Sequence, residues 1–143
     1  MELSSFQVRD LVYTWFRKLT DHAPLEEMQE MLSSSSLTMR FPEATIRSHE
    51  EFRQWYETVI RTYFDQLHEL KMLDISIAGD GADVRLVVNW QARSWNPPDG
   101  YSHRLGLFAH QTWRVVLEGD RAVIAEYSVE RTVDMQGPVP VRV

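Results

Sequence analysis

Over the second half of the chain, apolar and polar residues alternate in runs separated by turn-forming pairs, and that alternation predicts four antiparallel strands. Asp80-Gly81 and Gly119-Asp120 have the composition of two-residue hairpin loops, and Asn96-Pro97-Pro98-Asp99-Gly100-Tyr101 is a longer connection without helical character. Pairing outward from these turns sets Gly79 opposite Ala82, Trp95 opposite Ser102 and Glu118 opposite Arg121. Side chains alternate along a strand and align across a ladder, so the pairings assign every residue to a face. One face gathers Leu73, Ile75 and Ile77, then Val84, Leu86, Val88 and Trp90, then Leu107, Ala109, Gln111, Trp113 and Val115, then Ala122, Ile124, Glu126, Ser128 and Glu130. It is apolar apart from a few residues; the carboxylate of Glu126 lands among them, with Glu130 further along the same face.

Upstream the period changes. Phe52, Trp55, Tyr56, Val59, Ile60, Tyr63, Phe64 and Leu67 recur at spacings of three and four, the broad stripe of a helix running from about Glu50 to Leu67. Ser48-His49-Glu50-Glu51 has the spacing of a capping box and marks its start. Burial contributes roughly 1.5–3 kcal/mol per large apolar side chain, whereas ordering the backbone costs roughly 1–2 kcal/mol per residue. The helix therefore depends on the sheet it covers. Val8, Leu11, Val12, Trp15, Phe16 and Leu19 form an earlier helical stripe, and Pro24 opens a shorter helix carrying Leu25, Met28, Met31 and Leu32. Leu37, Met39 and Phe41 alternate as a short strand closed by Pro42. The fold class this implies is α+β: a cone-shaped barrel made by a strongly curved antiparallel sheet wrapped around three N-terminal helices. It reads as a single domain over residues 1–133, with 134–143, which hold Gly137, Pro138 and Pro140, as a tail.

Composition narrows the function. The formal charge of -6, with Arg and Lys interspersed among acids, offers no basic stripe for phosphates, so nucleic acid is not an expected partner. No apolar run reaches the ~18 residues of a membrane span, and the N-terminal residues lack the basic-then-apolar pattern of a secretory signal; a cytoplasmic location is the expectation. Without cysteine there is no disulfide or thiolate chemistry, and none of the histidines has the spacing of a zinc motif, so neither metal nor cofactor is expected.

The helical pair, the Leu37–Phe41 strand, the long helix and the meander together resemble the nuclear transport factor 2-like superfamily, in particular its SnoaL-like members. The local features that carry the resemblance are Phe52-x-x-Trp55-Tyr56, Trp90-x-x-x-x-Trp95, Gln111-x-Trp113 and Ile124-x-x-Tyr127-x-Val129. These are patterns of shape and hydrophobicity, and a fold so widely used leaves the function open among isomerases, cyclases, dehydratases, epoxide hydrolases and noncatalytic transport factors. The resemblance implies acid/base chemistry inside the cone, on a hydrophobic small molecule, without metal or cofactor. Glu126 is then the candidate catalytic group: a carboxyl between Trp113 and Ile124 in a dry cavity is disfavoured as an anion, which suits a general acid or base. Gln111 and Ser128 are placed to hydrogen-bond a ligand, and Trp90, Trp113 and Tyr56 to wall it.

Other readings stand beside these. Glu126 could serve a structural partner such as Arg40, and a slip in register would send it to solvent. His110 and Glu126 resemble the histidine-plus-acid pair of polyketide cyclases, but they point to opposite faces unless a bulge lies between Phe108 and Thr112. His22, His49, His68 and His103 sit near expected element ends and read as exposed. On the outer face Phe108, Val116, Val123, Ala125, Tyr127 and Val129 form an apolar patch rimmed by Arg85, Arg93, Arg104, Arg114 and Arg131, which predicts a homodimer through that face. Catalysis, passive ligand binding and a protein-interaction module with a filled cone all fit the sequence.

Overall fold

The computed structural model describes residues 2–135. Helix α1, Ser5–Thr20, begins with a complete capping box, in which the Gln7 amide N–H donates to Ser4 Oγ and Gln7 Oε1 accepts from the Ser4 N–H. Its buried stripe is Val8, Leu11, Val12, Trp15, Phe16 and Leu19, the set the spacing predicts. A short helix α2, Leu25–Gln29, follows Pro24 and buries Met28. Strand β1, Thr38–Arg40, turns back through an unanticipated two-residue strand β2, Thr45–Ile46. Helix α3, His49–Thr62, is capped by Ser48 Oγ, which accepts from the Glu51 N–H at 3.1 Å. The Glu51 carboxylate instead accepts from Arg47 N, at 2.7 Å. The long strands are β3 (Tyr63–Ala78), β4 (Gly81–Ser94), β5 (His103–Glu118) and β6 (Arg121–Asp134).

The six strands form one open sheet in the order β2-β1-β6-β5-β4-β3, antiparallel except where β1 runs parallel to β6. The helices and the apolar side of the sheet share one core, centred on Trp15, Phe52, Met39, Leu86, Trp113, Ile124 and Tyr127. Glu118, at the end of β5, ties the serine run to the sheet: it accepts from the Ser33, Ser34 and Ser35 hydroxyls and from the Ser34 N–H. The architecture is the expected α+β cone. Its C-terminal strand reaches Asp134, one residue past the expected end of the domain, and 136–143 of the expected tail lie outside the described residues.

Three local expectations are corrected. The helix stops at Thr62, and Tyr63, Phe64 and Leu67 open β3 instead, with Tyr63 paired to Ser94 and His68 to Trp90. A stripe spaced by three and four over so few residues also fits a strand with an irregularity, and one is present: the register shifts between Phe64 and Leu67, where Asp65 takes φ 50°. The edge of β4 supplies a ladder that an isolated helical turn cannot match, and Phe64 and Leu67 are exposed. The first hairpin turns on Gly79-Asp80, not Asp80-Gly81, so Ile77 pairs with Ala82. Gly79 takes the positive φ, while Gly81 lies inside the strand, where a Cβ would come within 2.6 Å of the Val115 carbonyl oxygen, so glycine is required there. An offset of two residues preserves both faces, so the inward placement of Leu73 and Ile75 stands.

The third correction concerns β6. From Glu118–Arg121 to Val115–Ile124 the ladder follows the turn, but the next pair is Arg114–Glu126, leaving Ala125 as an extra residue. The N-terminal segment explains why. Ile124 exchanges hydrogen bonds with Met31 and Ser33 and bridges to Leu32, whereas Tyr127 lies beside the buried Met39 of β1. Both Ile124 and Tyr127 must face the core, and they are three apart in a strand of period two, so one bulge is required between them. A second shift makes Glu130 the extra residue between Val129 and Arg131.

Candidate functional site

Between α1, α3, the loop after β1 and the concave side of the sheet lies a cavity of about 580 Å³. Phe16 and Leu19 of α1, Trp55 and Val59 of α3, and Val88, Leu107, Ala109 and Val129 of the sheet make its apolar walls. Polar groups reach it from Gln111, Tyr127, Trp90, His68, Tyr63 and Thr132, and Glu43 stands exposed at the mouth.

The bulge at Ala125 decides the chemistry of this space. It turns Glu126 to the convex side of the sheet, where the carboxylate is more than half exposed and 3.9 Å from Arg40 Nη1. Ser128 goes with it and accepts from Arg40 Nη1 at 3.1 Å. Tyr127 takes the inward position assigned to Glu126, buried against Trp113 with ring centroids 4.9 Å apart. His110 also faces outward. A register shift does fall between His110 and Gln111, but the extra residue belongs to β6, so β5 keeps its regular alternation against β4. His110 and Glu126 end on the same outer face with the Thr112–Ser128 pair between them, and no dyad forms.

Trp90 and Gln111 line the cavity as expected. Trp113 sits behind it in the core and donates its indole N–H to Gln111 Oε1 at 2.9 Å, which leaves the Gln111 amide N–H groups for the cavity. Tyr56 is a structural residue: its hydroxyl donates to the Ala23 carbonyl at 2.6 Å, and burial, with Glu27 nearby, pushes the phenol up to about 12. Burial also raises the Tyr127 phenol well above its ordinary value, against the pull of Gln111 and Trp15. Trp15 Nε1 is fully buried and has no hydrogen-bond partner among the described residues.

His68 is the group that sequence reasoning missed. The long-helix reading placed it just beyond a helix end, whereas β3 carries it onto the cavity wall. Alternation alone could not have placed it: Gln66, His68 and Leu70 are out of phase with Leu73, Ile75 and Ile77, and only the register shift between Leu70 and Met72 brings both sets to one face. Its ring stacks on Phe16, with centroids 5.7 Å apart, and Nδ1 lies 2.9 Å from Thr20 Oγ1. The same hydroxyl accepts from the His68 backbone N–H. Burial, and secondarily the neighbouring His22, push the imidazole down to about 4, so it is neutral at physiological pH. Among the described residues Nε2 has no protein partner.

A second polar chain fixes Trp90. The indole N–H can only donate, and it does so to Gln66 Oε1 at 2.9 Å. The Gln66 amide nitrogen therefore faces His22 Nε2, 2.6 Å away, which must accept. Gln66 is buried and Trp90 is held in one orientation on the cavity wall. Among the described residues no three His, Asp or Glu side chains are grouped to hold a metal ion, and no helix is long and apolar enough to cross a membrane.

No protein-family model and no curated protein sequence matches the chain. Solved structures do. A scytalone dehydratase-like protein from Novosphingobium aromaticivorans superposes with a TM-score of 0.73 at 13% identity, covering 92% of this chain and 87% of that one. A dehydratase-like member of the nuclear transport factor 2-like family from Streptomyces avermitilis gives 0.71 at 15% identity, over 87% and 95%. A ketosteroid isomerase-like protein from Erwinia carotovora atroseptica gives 0.68 at 12%, over 90% and 94%. At these identities the likeness is one of fold, and the fold is the nuclear transport factor 2-like one.

Proposed function

We propose that this chain, with its nuclear transport factor 2-like fold, binds a largely apolar small molecule in the cavity between α1, α3 and the sheet. The observation that carries the reading is the cavity itself: about 580 Å³ of space walled by aliphatic and aromatic side chains, Trp90 among them, with polar groups on Gln111 and His68. Small-molecule sites have this size and this ratio of apolar wall to placed polar groups. Calorimetry and thermal shift against flat ketones, enones and phenols test it. A ligand at about 100 times its Kd stabilises the fold by roughly 2.7 kcal/mol. Ala109→Phe, which fills the space from β5, should remove the shift while a Gln111→Ala variant weakens it. No shift with any member of the panel would sink the reading in favour of a protein-interaction module.

A second reading, catalysis, is favoured by one feature, the unpartnered Nε2 of the neutral His68. Such an imidazole, with its free lone pair at Nε2, can take a proton from a bound carbonyl or hydroxyl compound and return it in a later step. Turnover that His68→Gln abolishes, with ligand affinity retained, would support it. Self-association through the convex face is proposed separately. Tyr127 and Val129 turn inward and Val123 and Ala125 are buried, so the apolar patch is reduced to half-buried Phe108 and Val116 between the arginines. A monomer mass by light scattering at micromolar concentration would rule the homodimer out.

A further inference from the structure

The cavity wall carries almost no formal charge, and what it carries has one sign. Among the described residues no Lys or Arg lines it, and its inner polar groups are amide, indole, hydroxyl and an imidazole that burial keeps neutral. Among the described residues the one acidic side chain on the wall is Glu43, at the mouth. It is not a loose surface acid. Its Oε1 accepts the Trp55 indole N–H at 3.1 Å, and Trp55 lies flat against Phe41 with ring centroids 4.2 Å apart. Phe41 in turn meets Tyr127 at 5.3 Å, so the carboxylate is tethered to an aromatic rim continuous with the interior. Among the described residues Glu43 makes no salt bridge.

An anion entering this space would shed water with no cation to replace it, and would pass a negative charge on the way in. A cation with an apolar body meets the opposite conditions. Its body fills the aliphatic and aromatic walls while its charge stops at the mouth, half-solvated, against Glu43 and the electron-rich aromatic faces around it. We infer that the ligand class of this cavity is a primary or secondary amine on an apolar, ring-bearing body, with the ammonium held at the mouth by Glu43. The inference rests on the small-molecule reading above and adds a charge to it.

Three probes of one shape separate the two. Naphthylethylamine, naphthylethanol and naphthylacetate differ chiefly in the group that would lie at the mouth, and binding is read by calorimetry at low salt on the wild-type chain, Glu43→Gln and Glu126→Gln. The amide introduced by Glu43→Gln keeps an oxygen for the Trp55 N–H, so this variant removes charge and little else, and its unfolding curve should overlay the wild type. Glu126→Gln removes one negative charge from the convex face and controls for the acidity of the whole chain. The expected result is amine tighter than alcohol by about threefold to fivefold, the size of an ion pair at a half-solvated site, with the carboxylate weakest. That preference should vanish in Glu43→Gln and persist in Glu126→Gln. Equal binding of amine and alcohol, or a preference that survives Glu43→Gln, overturns the amine assignment and leaves the small-molecule reading intact. If none of the three binds the wild type, both fall.

Discussion

Strands β4 and β5 hold a single register from Gly81–Val116 to Ser94–His103, whereas β5 and β6 lose theirs twice. Both pairs adjoin a connection whose chemistry is legible, so the difference does not lie in the turns. It lies in what the far edge must satisfy. β4 is bordered by β3, which can shift its own register to fit, at Phe64/Leu67 and Leu70/Met72. β6 is bordered by the chain's own N-terminal segment, whose Leu32 and Met39 require Ile124 and Tyr127 to face inward together. Two inward residues three apart cannot coexist in an unbroken strand. A turn therefore sets faces only as far as the first bulge, and here the bulge comes just before Glu126, the residue to which the sequence pattern assigned the chemistry.

The largest test of that contrast is Tyr127→Ala. With Tyr127 stacked in the core the substitution should cost about 3–5 kcal/mol, read as a lower denaturation midpoint; an unbroken register would put Tyr127 outside and make the change nearly silent. Next is the pH dependence contributed by His68. Its folded value of about 4 lies below the ordinary 6.5 of an unfolded histidine. The unfolded chain thus binds more protons between these values. The stability is fully present above about 6.5 and is lost as pH falls towards 4, by up to about 3 kcal/mol. His68→Gln should flatten that window, and a flat wild-type profile there would place the imidazole in water. Third, Gln66→Leu leaves the Trp90 indole N–H and His22 Nε2 without their partner and should destabilise by about 1–3 kcal/mol, with a change in tryptophan fluorescence if Trp90 is freed. The smallest effect belongs to Glu126→Ala. An exposed carboxylate 3.9 Å from Arg40 contributes little, so the midpoint should move by no more than about 0.5 kcal/mol. A large loss would return Glu126 to the interior.

The contrast also separates readable from unreadable parts of the site. Trp90 and Gln111 were legible because both lie on the strand pair whose register is unbroken. Glu126, Ser128 and Tyr127 were misassigned together, since one bulge reverses every side chain after it until the next. His68 was hidden differently. Tyr63, Phe64 and Leu67 match a helical period as well as a strand with one irregularity, and only the partner edge of β4 chooses between them.

Local chemistry was enough for the order of the elements apart from β2, the apolar stripe of α1, the start of α3, and the concave face of the sheet from Leu73 to Val115. Each of these follows from a period, a cap or a turn contained within a few neighbouring residues. The end of α3, the bulge at Ala125, the inward His68 and the tether of Glu43 to Trp55 were decided by the tertiary structure. Met39 and Tyr127, His68 and Trp90, or Thr20 and His68 meet only when the sheet curves around the helices, and no short window of residues contains both members of such a pair.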